Sequence, residues 1–260
     1  MATPVHVTVW DEAGVGAPAV VMVHGTMTWG TDAFEAQRSL AERYHLLVMD
    51  RRGFGGSPDI DRSDYEVDAA DVVELLGDGA HLVGHSYGSV VAMLAAASCP
   101  QAVRSLALIE PSAYRLAEHD PAVADALERN RKSLGDLPED MTPEEFLRLS
   151  TKSIGIAMPA PTPHRLRAVR TAMRERPSWE AEIPVEPLAS APWPKLVISG
   201  TWESASSDYR ALAGEALMAC ASIVAECIGG TLLRVPGAAH DPHREQPEIV
   251  NAALRNLWQG

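Results

Sequence analysis

Residues 81–98 read HLVGHSYGSVVAMLAAAS. The first four, His81–Gly84, form an apolar run of strand length. Tyr87–Ser98 has the length and composition of a small apolar helix and stops before Pro100. Between them stands Gly84-His85-Ser86-Tyr87-Gly88. A Gly-x-Ser-x-Gly set between a strand and a helix reads as a nucleophile elbow. The tight turn holds the serine out at the top of a sheet, flanking glycines relieve crowding, and the helix N-terminus points amide hydrogens at developing negative charge.

Working outward, Val5–Trp10, Val20–His24, Leu46–Asp50, Leu106–Ile109, Leu196–Ser199 and Leu232–Val235 are further short apolar runs. Continuous runs rich in Val and Leu belong to strands buried on both faces, as in a parallel sheet covered by helices. Helical patterns alternate with them. Ser63-Asp64-Tyr65-Glu66 reads as a capping box opening a helix whose Val67, Val72, Leu75 and Leu76 face inward and which Gly77 ends. This alternation predicts an α/β fold with a mostly parallel sheet of about seven strands. It breaks over 112–191, where helices are expected over Asp120–Leu134, from Thr142-Pro143-Glu144-Glu145 onward, and over Pro163–Arg174. Pro184, Pro187, Pro192 and Pro194 predict a stiff, extended return. Residues 1–111 and 192–260 are therefore one core, and 112–191 a helical cap or lid insertion.

A serine nucleophile needs a base. Val235-Pro236-Gly237-Ala238-Ala239-His240 follows the last predicted strand, and loops after parallel strands share one sheet edge, so His240 can reach Ser86. His243 is the near competitor, read as a solvated loop or helix-start histidine. His24 and His85 are read as structural. Two acids could orient the base: Glu110 ends the strand Leu106–Ile109, and Glu203 follows Leu196–Ser199. A carboxylate at the end of an apolar strand is poorly solvated and needs a hydrogen-bonded partner. The amides of Thr26, after Val23-His24-Gly25, and of Tyr87 can form an oxyanion hole. Asp50-Arg51-Arg52-Gly53-Phe54-Gly55-Gly56-Ser57 lacks a Walker lysine and reads as a structural turn.

Composition narrows the partners. The formal net charge is −13, with 46% hydrophobic and 22% charged residues. Such a chain repels phosphate backbones and anionic lipid, so neither nucleic acid nor a membrane is expected as partner. No run is read as approaching the ~20 apolar residues of a membrane span, and the N-terminal stretch shows no secretory signal pattern. Three cysteines are too few for a disulfide framework. Cys220 and Cys227, seven apart on a helix, would lie ~10 Å apart, beyond disulfide reach. Nothing has zinc-ligand spacing. A cytoplasmic location, no metal and no cofactor are the expectations.

These motifs together resemble the α/β-hydrolase superfamily over nearly the whole length: His24-Gly25 after that fold's third strand, Asp50-x-x-Gly53-x-Gly55 after the fourth, the elbow at Ser86, and Pro236-Gly237-x-x-His240 before the last helix. The resemblance implies helices on both sheet faces, a helical cap inserted after that fold's sixth strand, and a Ser–His–acid triad. With one clear strand before His24, that fold's first strand is read as absent or very short here, so its sixth and seventh strands are the fifth and sixth of this chain. The family's usual acid follows the seventh strand, where Glu203 stands; some branches place a Glu after the sixth, as Leu108-Ile109-Glu110-Pro111 does. Glu110 is preferred, because Glu203 opens a polar, irregular run. The expected activity is hydrolysis of a carboxylic ester, lactone or thioester of a small to medium apolar substrate through an acyl-enzyme. Met27, Trp29, Tyr87 and Trp202 are expected to line the pocket. The rival readings are carbon–carbon hydrolysis, perhydrolysis or cyclisation on the same scaffold, and a ligand-binding receptor without turnover.

Overall fold

Among the described residues, seven strands form one sheet, β1 (Val7–Trp10), β2 (Ala19–Val23), β3 (His45–Met49), β4 (Ala80–His85), β5 (Val103–Ile109), β6 (Lys195–Gly200) and β7 (Thr231–Val235), in the order β1-β3-β2-β4-β5-β6-β7. Only β1 runs antiparallel, against β3; the other pairings are parallel. The architecture comes from a computed structural model of the chain, which describes residues 3–135, 138 and 140–259. Met1 and Ala2, part of the stretch read for a secretory signal, lie outside these residues.

The helices are α1 (Gly30–Phe34), α2 (Tyr65–Leu76), α3 (Tyr87–Ser98), α4 (Pro121–Gly135), α5 (Pro143–Ser153), α6 (Pro163–Ala172), α7 (Val185–Ser190), α8 (Ser207–Tyr209), α9 (Glu215–Ile228), α10 (Pro242–Glu245) and α11 (Pro247–Gln259). Successive strand side chains point to opposite faces, and both faces are covered. Val21, Val23, Leu82 and Leu108 join one core with α2, α3 and α9; Val20, Met22, Val83 and Ile109 join another with Phe34 and the α11 residues Val250 and Leu254. That two-sided burial is why the strands read as unbroken apolar runs rather than alternating ones.

Among the described residues, 112–191 holds helices and no strand. The reciprocal capping box of Thr142 and Glu145 opens α5 as expected. Three local readings are corrected. Asp64, not Ser63, caps α2, accepting from the Glu66 amide at 2.8 Å, while Ser63 is buried. Val67 is 40% exposed; the inward face carries Tyr65, Ala69, Val72 and Leu76, with Asp68 among them. The return over 184–194 is not continuously extended, since α7 interrupts it; Pro187 falls in its first turn, where a missing N–H costs nothing.

The membrane reading also needs correction. The helical stretch Ser207–Ile228 is 22 residues long and apolar enough to cross a membrane by length and composition. Here it packs Leu217, Cys220, Val224 and Ile228 into the core. The polar Glu203–Asp208 run overlaps its start and masks the continuity in the sequence.

Candidate active site

Parallel strands deliver their following loops to one edge of the sheet. Among the described residues, four non-glycine residues have positive φ: Met27 (55°), Ser86 (53°), Glu110 (47°) and Trp202 (59°). They follow β2, β4, β5 and β6 in turn. Backbone strain in this region concentrates where the surrounding structure over-determines a residue, as at active sites.

Ser86 sits between β4 and α3 and is 8% exposed. Its amide donates to the Ile109 carbonyl at 2.8 Å, tying the turn to β5. The flanking glycines are sterically required. A Cβ on Gly84 would stand 2.3 Å from the Gly88 carbonyl oxygen, and one on Gly88 would stand 2.1 Å from that of Val23.

His240 Nε2 lies 3.2 Å from Ser86 Oγ. Glu245 grips the backbone on both sides of His240, accepting from the Ala239 and Asp241 amides at 2.9 Å each. The loop is also tied to the turn after β6, where the Trp202 amide donates to the Ala238 carbonyl at 2.8 Å. Burial, reinforced by the neighbouring His85, pushes His240 down to about 4. The imidazole is thus held neutral, the form that accepts a proton.

The two acids are placed very differently. Glu110 is fully buried. Its Oε1 accepts from the Gly200 amide at 2.6 Å and from Trp202 Nε1 at 3.4 Å. Among the described residues, its Oε2 is buried without a partner, and so is His240 Nδ1. The two are not hydrogen-bonded to each other here, yet each has the atom the other needs. Burial pushes the Glu110 carboxyl up to about 8. Glu203 is exposed, and its carboxylate accepts from the Thr201 hydroxyl at 3.2 Å. The structure does not bring it to His240.

Gly25 packs against the nucleophile: a Cβ there would lie 3.1 Å from Ser86 Cβ. This places the Gly25–Thr26 peptide beside the serine, across from the N-terminus of α3, which begins at Tyr87. Of the expected pocket residues, Met27 and Trp29 are half-buried. The Met27 carbonyl accepts from Arg165 Nη1 at 2.8 Å, and the Trp29 ring packs against His164 at 4.2 Å and beneath the Arg165 guanidinium at 4.5 Å. Helix α6 therefore docks on the loop after β2. Trp202 is corrected: it is fully buried, edge-on to Tyr209 at 4.9 Å, and packs into the core rather than facing solvent.

His243 is likewise not solvated. It is fully buried between His85 (4.4 Å) and Phe34 (5.5 Å). His85 Nε2 contacts the His240 carbonyl at 3.0 Å and Asp241 Oδ1 at 3.4 Å. The ligand atoms of His85, Asp241 and His243 lie within 4.8 Å of one another. The trio packs against His240, whose ring lies 5.1 Å from that of His85. Loop packing assembles it, and no sequence spacing signals it.

Sequence reasoning also missed a buried ionic cluster under the site. Arg51 is fully buried, with Nη1 3.0 Å from Asp68 and Nη2 paired to Glu175. The only sequence trace is an arginine inside a glycine-rich turn.

The family model described as the alpha/beta hydrolase family matches residues 20–253. The chain belongs to the alpha/beta hydrolase family. It is an enzyme of the hydrolase type. A similar protein is the pimeloyl-[acyl-carrier protein] methyl ester esterase of Edwardsiella ictaluri, 29% identical over 96% of this chain and 97% of that one. Among solved structures, a thermophilic esterase from Thermogutta terrifontis superposes with TM-score 0.67 at 24% identity, covering 98% of this chain and 93% of that one. Carboxylesterase CesB from Bacillus subtilis gives TM-score 0.61 at 18% identity, covering 94% and 84%. As in other alpha/beta hydrolases, the serine, histidine and acid candidates come from loops at one sheet edge.

Proposed function

We propose that this hydrolase cleaves a carboxylic ester, lactone or thioester of a small to medium apolar substrate through an acyl-enzyme on Ser86. The observation that carries the reading is the 3.2 Å approach of His240 Nε2 to Ser86 Oγ at the elbow. Ser86 Oγ attacks the carbonyl carbon as its proton passes to His240 Nε2. The amides of Thr26 and Tyr87 stabilise the oxyanion. His240 then protonates the leaving group, and water, deprotonated by His240, resolves the ester to Ser86. Glu110 is the acid that turns Oε2 to His240 Nδ1–H as the imidazolium forms, which satisfies both unpartnered atoms. Residues 112–191 act as a cap, with α6 seated over Met27 and Trp29. The ester choice is supported by the likeness to the Edwardsiella enzyme, which acts on a methyl ester.

A panel of p-nitrophenyl esters of graded chain length, with γ- and δ-lactones and an acyl thioester, tests this. The expected result is turnover of at least one oxygen- or sulfur-ester class, favouring short and medium acyl chains. Turnover confined to carbon–carbon substrates such as vinylogous diketones would overturn the ester reading.

The pH profile follows from the burial of His240. The base works when neutral, so kcat/KM rises with pH through its pKa. Burial lowers that pKa from histidine's usual value, so the half-maximal point is expected below pH 6.5. Burial alone keeps Glu110 protonated in this range, and the imidazolium it turns to face favours the ionised carboxylate; Glu110→Gln removes that coupled charge and should move the point lower still. A wild-type midpoint above 6.5, or an upward shift in the variant, contradicts this.

A further inference from the structure

The carbonyl of Gly25 and the amide of Thr26 belong to one planar trans peptide group, so holding the oxygen aims the N–H the opposite way. Two donors hold that oxygen. His24 Nδ1 is 2.7 Å from it. His24 Nε2 accepts from the Arg51 amide at 3.0 Å, which leaves the ring proton on Nδ1 to be donated to Gly25. The second donor is Arg51 Nη2, at 3.0 Å.

The same nitrogen of Arg51 also donates to Glu175 Oε1, and Glu175 Oε2 accepts from the Thr26 hydroxyl. A closed ring results: Gly25 carbonyl, Arg51, Glu175, Thr26 side chain, and back along the Thr26 backbone. Asp68 fixes the other arm of the guanidinium at 3.0 Å. The guanidinium is stacked over the rings of Phe54 (4.4 Å) and Tyr87 (4.0 Å). One buried cation therefore touches both chain segments that supply the oxyanion amides.

We propose that Arg51 is a positioning residue for the oxyanion-binding peptide Gly25–Thr26, and that Glu175, on the segment following α6, locks it by closing the ring. This rests on the reading of Thr26 and Tyr87 as oxyanion donors. The physical effect is twofold. A carbonyl that accepts from a cation is more strongly polarised, so its own N–H becomes a better donor. A peptide held at three points pays no reorganisation when the oxyanion forms. Because Glu175 follows the proposed cap helix α6, seating that segment completes the cradle.

The test measures kcat and KM on a p-nitrophenyl ester, together with inhibition by phenylboronic acid, which forms a tetrahedral adduct on the serine. Wild type is compared with Arg51→Lys, Glu175→Gln, Thr26→Val and the Thr26→Val/Glu175→Gln pair. Lysine keeps the charge but lacks the fork. About a hundred-fold loss of kcat is expected for Arg51→Lys and about ten-fold for Glu175→Gln, with KM within about two-fold, on the scale set by misaligned oxyanion donors. Boronate affinity should fall in step with kcat/KM. The double variant should be no worse than the worse single variant by more than about two-fold, since both act on one ring, glutamine by removing its charge and valine by removing its hydroxyl link. Should Arg51→Lys not fold, Glu175→Gln and Thr26→Val decide, because each leaves the Arg51–Asp68 pair intact. Folded variants with kcat and boronate affinity near wild type overturn the proposal. So does a rise in KM with boronate affinity unchanged, which would assign Arg51 to ground-state binding. A wild type that neither turns over esters nor labels at Ser86 overturns the esterase reading itself, and the ring with it.

Discussion

Ser86→Ala is expected to lower kcat by about a million-fold, the scale seen when a triad nucleophile is lost, while the protein stays folded. The side chain lost is one oxygen, and the bond it breaks is the contact with His240. The elbow itself is held by the Ser86 amide on the Ile109 carbonyl and by the packing of Gly84 and Gly88, none of which the variant touches. Alanine tolerates the positive φ no better and no worse than serine. Under the proposed mechanism, what remains is substrate binding and the amides of Thr26 and Tyr87, which can stabilise charge but form no acyl-enzyme. Steady-state kinetics on the best ester, with thermal melting as the control, measure the effect. A folded variant keeping a tenth of the rate would exclude the covalent route.

Glu110→Gln is expected to cost about a thousand- to ten-thousand-fold in kcat, and Glu203→Gln less than about ten-fold. Glutamine keeps the shape of Glu110 and one acceptor oxygen for the Gly200 amide and Trp202 Nε1. It places an NH2 where Oε2 now lies unpartnered. That group cannot accept from His240 Nδ1–H, so the imidazolium loses its support and the tautomer is no longer fixed. Glu203, exposed and bonded to the Thr201 hydroxyl, has no such task. Parallel kinetics on the two variants, with circular dichroism to confirm folding, decide between them. A large loss at Glu203 with Glu110→Gln near wild type would place the acid after β6.

The sheet was legible because its strands are buried on both faces, which leaves unbroken apolar runs, and parallel pairing then sends every following loop to one edge. The proximity of Ser86, Glu110 and the His240 loop follows from that rule alone. What stayed hidden depends on contacts between distant segments. Arg51 and Glu175 are 124 residues apart, and neither position carries a periodic or motif signal. His243 looks like any histidine after a proline; its burial comes from Phe34 and His85 closing over it. Trp202 sits in the right loop for a pocket wall, but its positive φ turns it inward, where its indole N–H serves Glu110. Local capping was misread for a similar reason: Ser63 can cap a helix, but the buried Arg51, 3.4 Å away, draws its hydroxyl inward.

The central claim, that Ser86 is the nucleophile of this hydrolase, is tested most directly by labelling with a fluorophosphonate and locating the adduct by peptide mass spectrometry. One phosphonyl group per chain is expected, on the peptide containing Ser86, with ester turnover lost in proportion to labelling and no adduct in Ser86→Ala. An adduct on another residue, or ester turnover that persists in fully labelled protein, would contradict it.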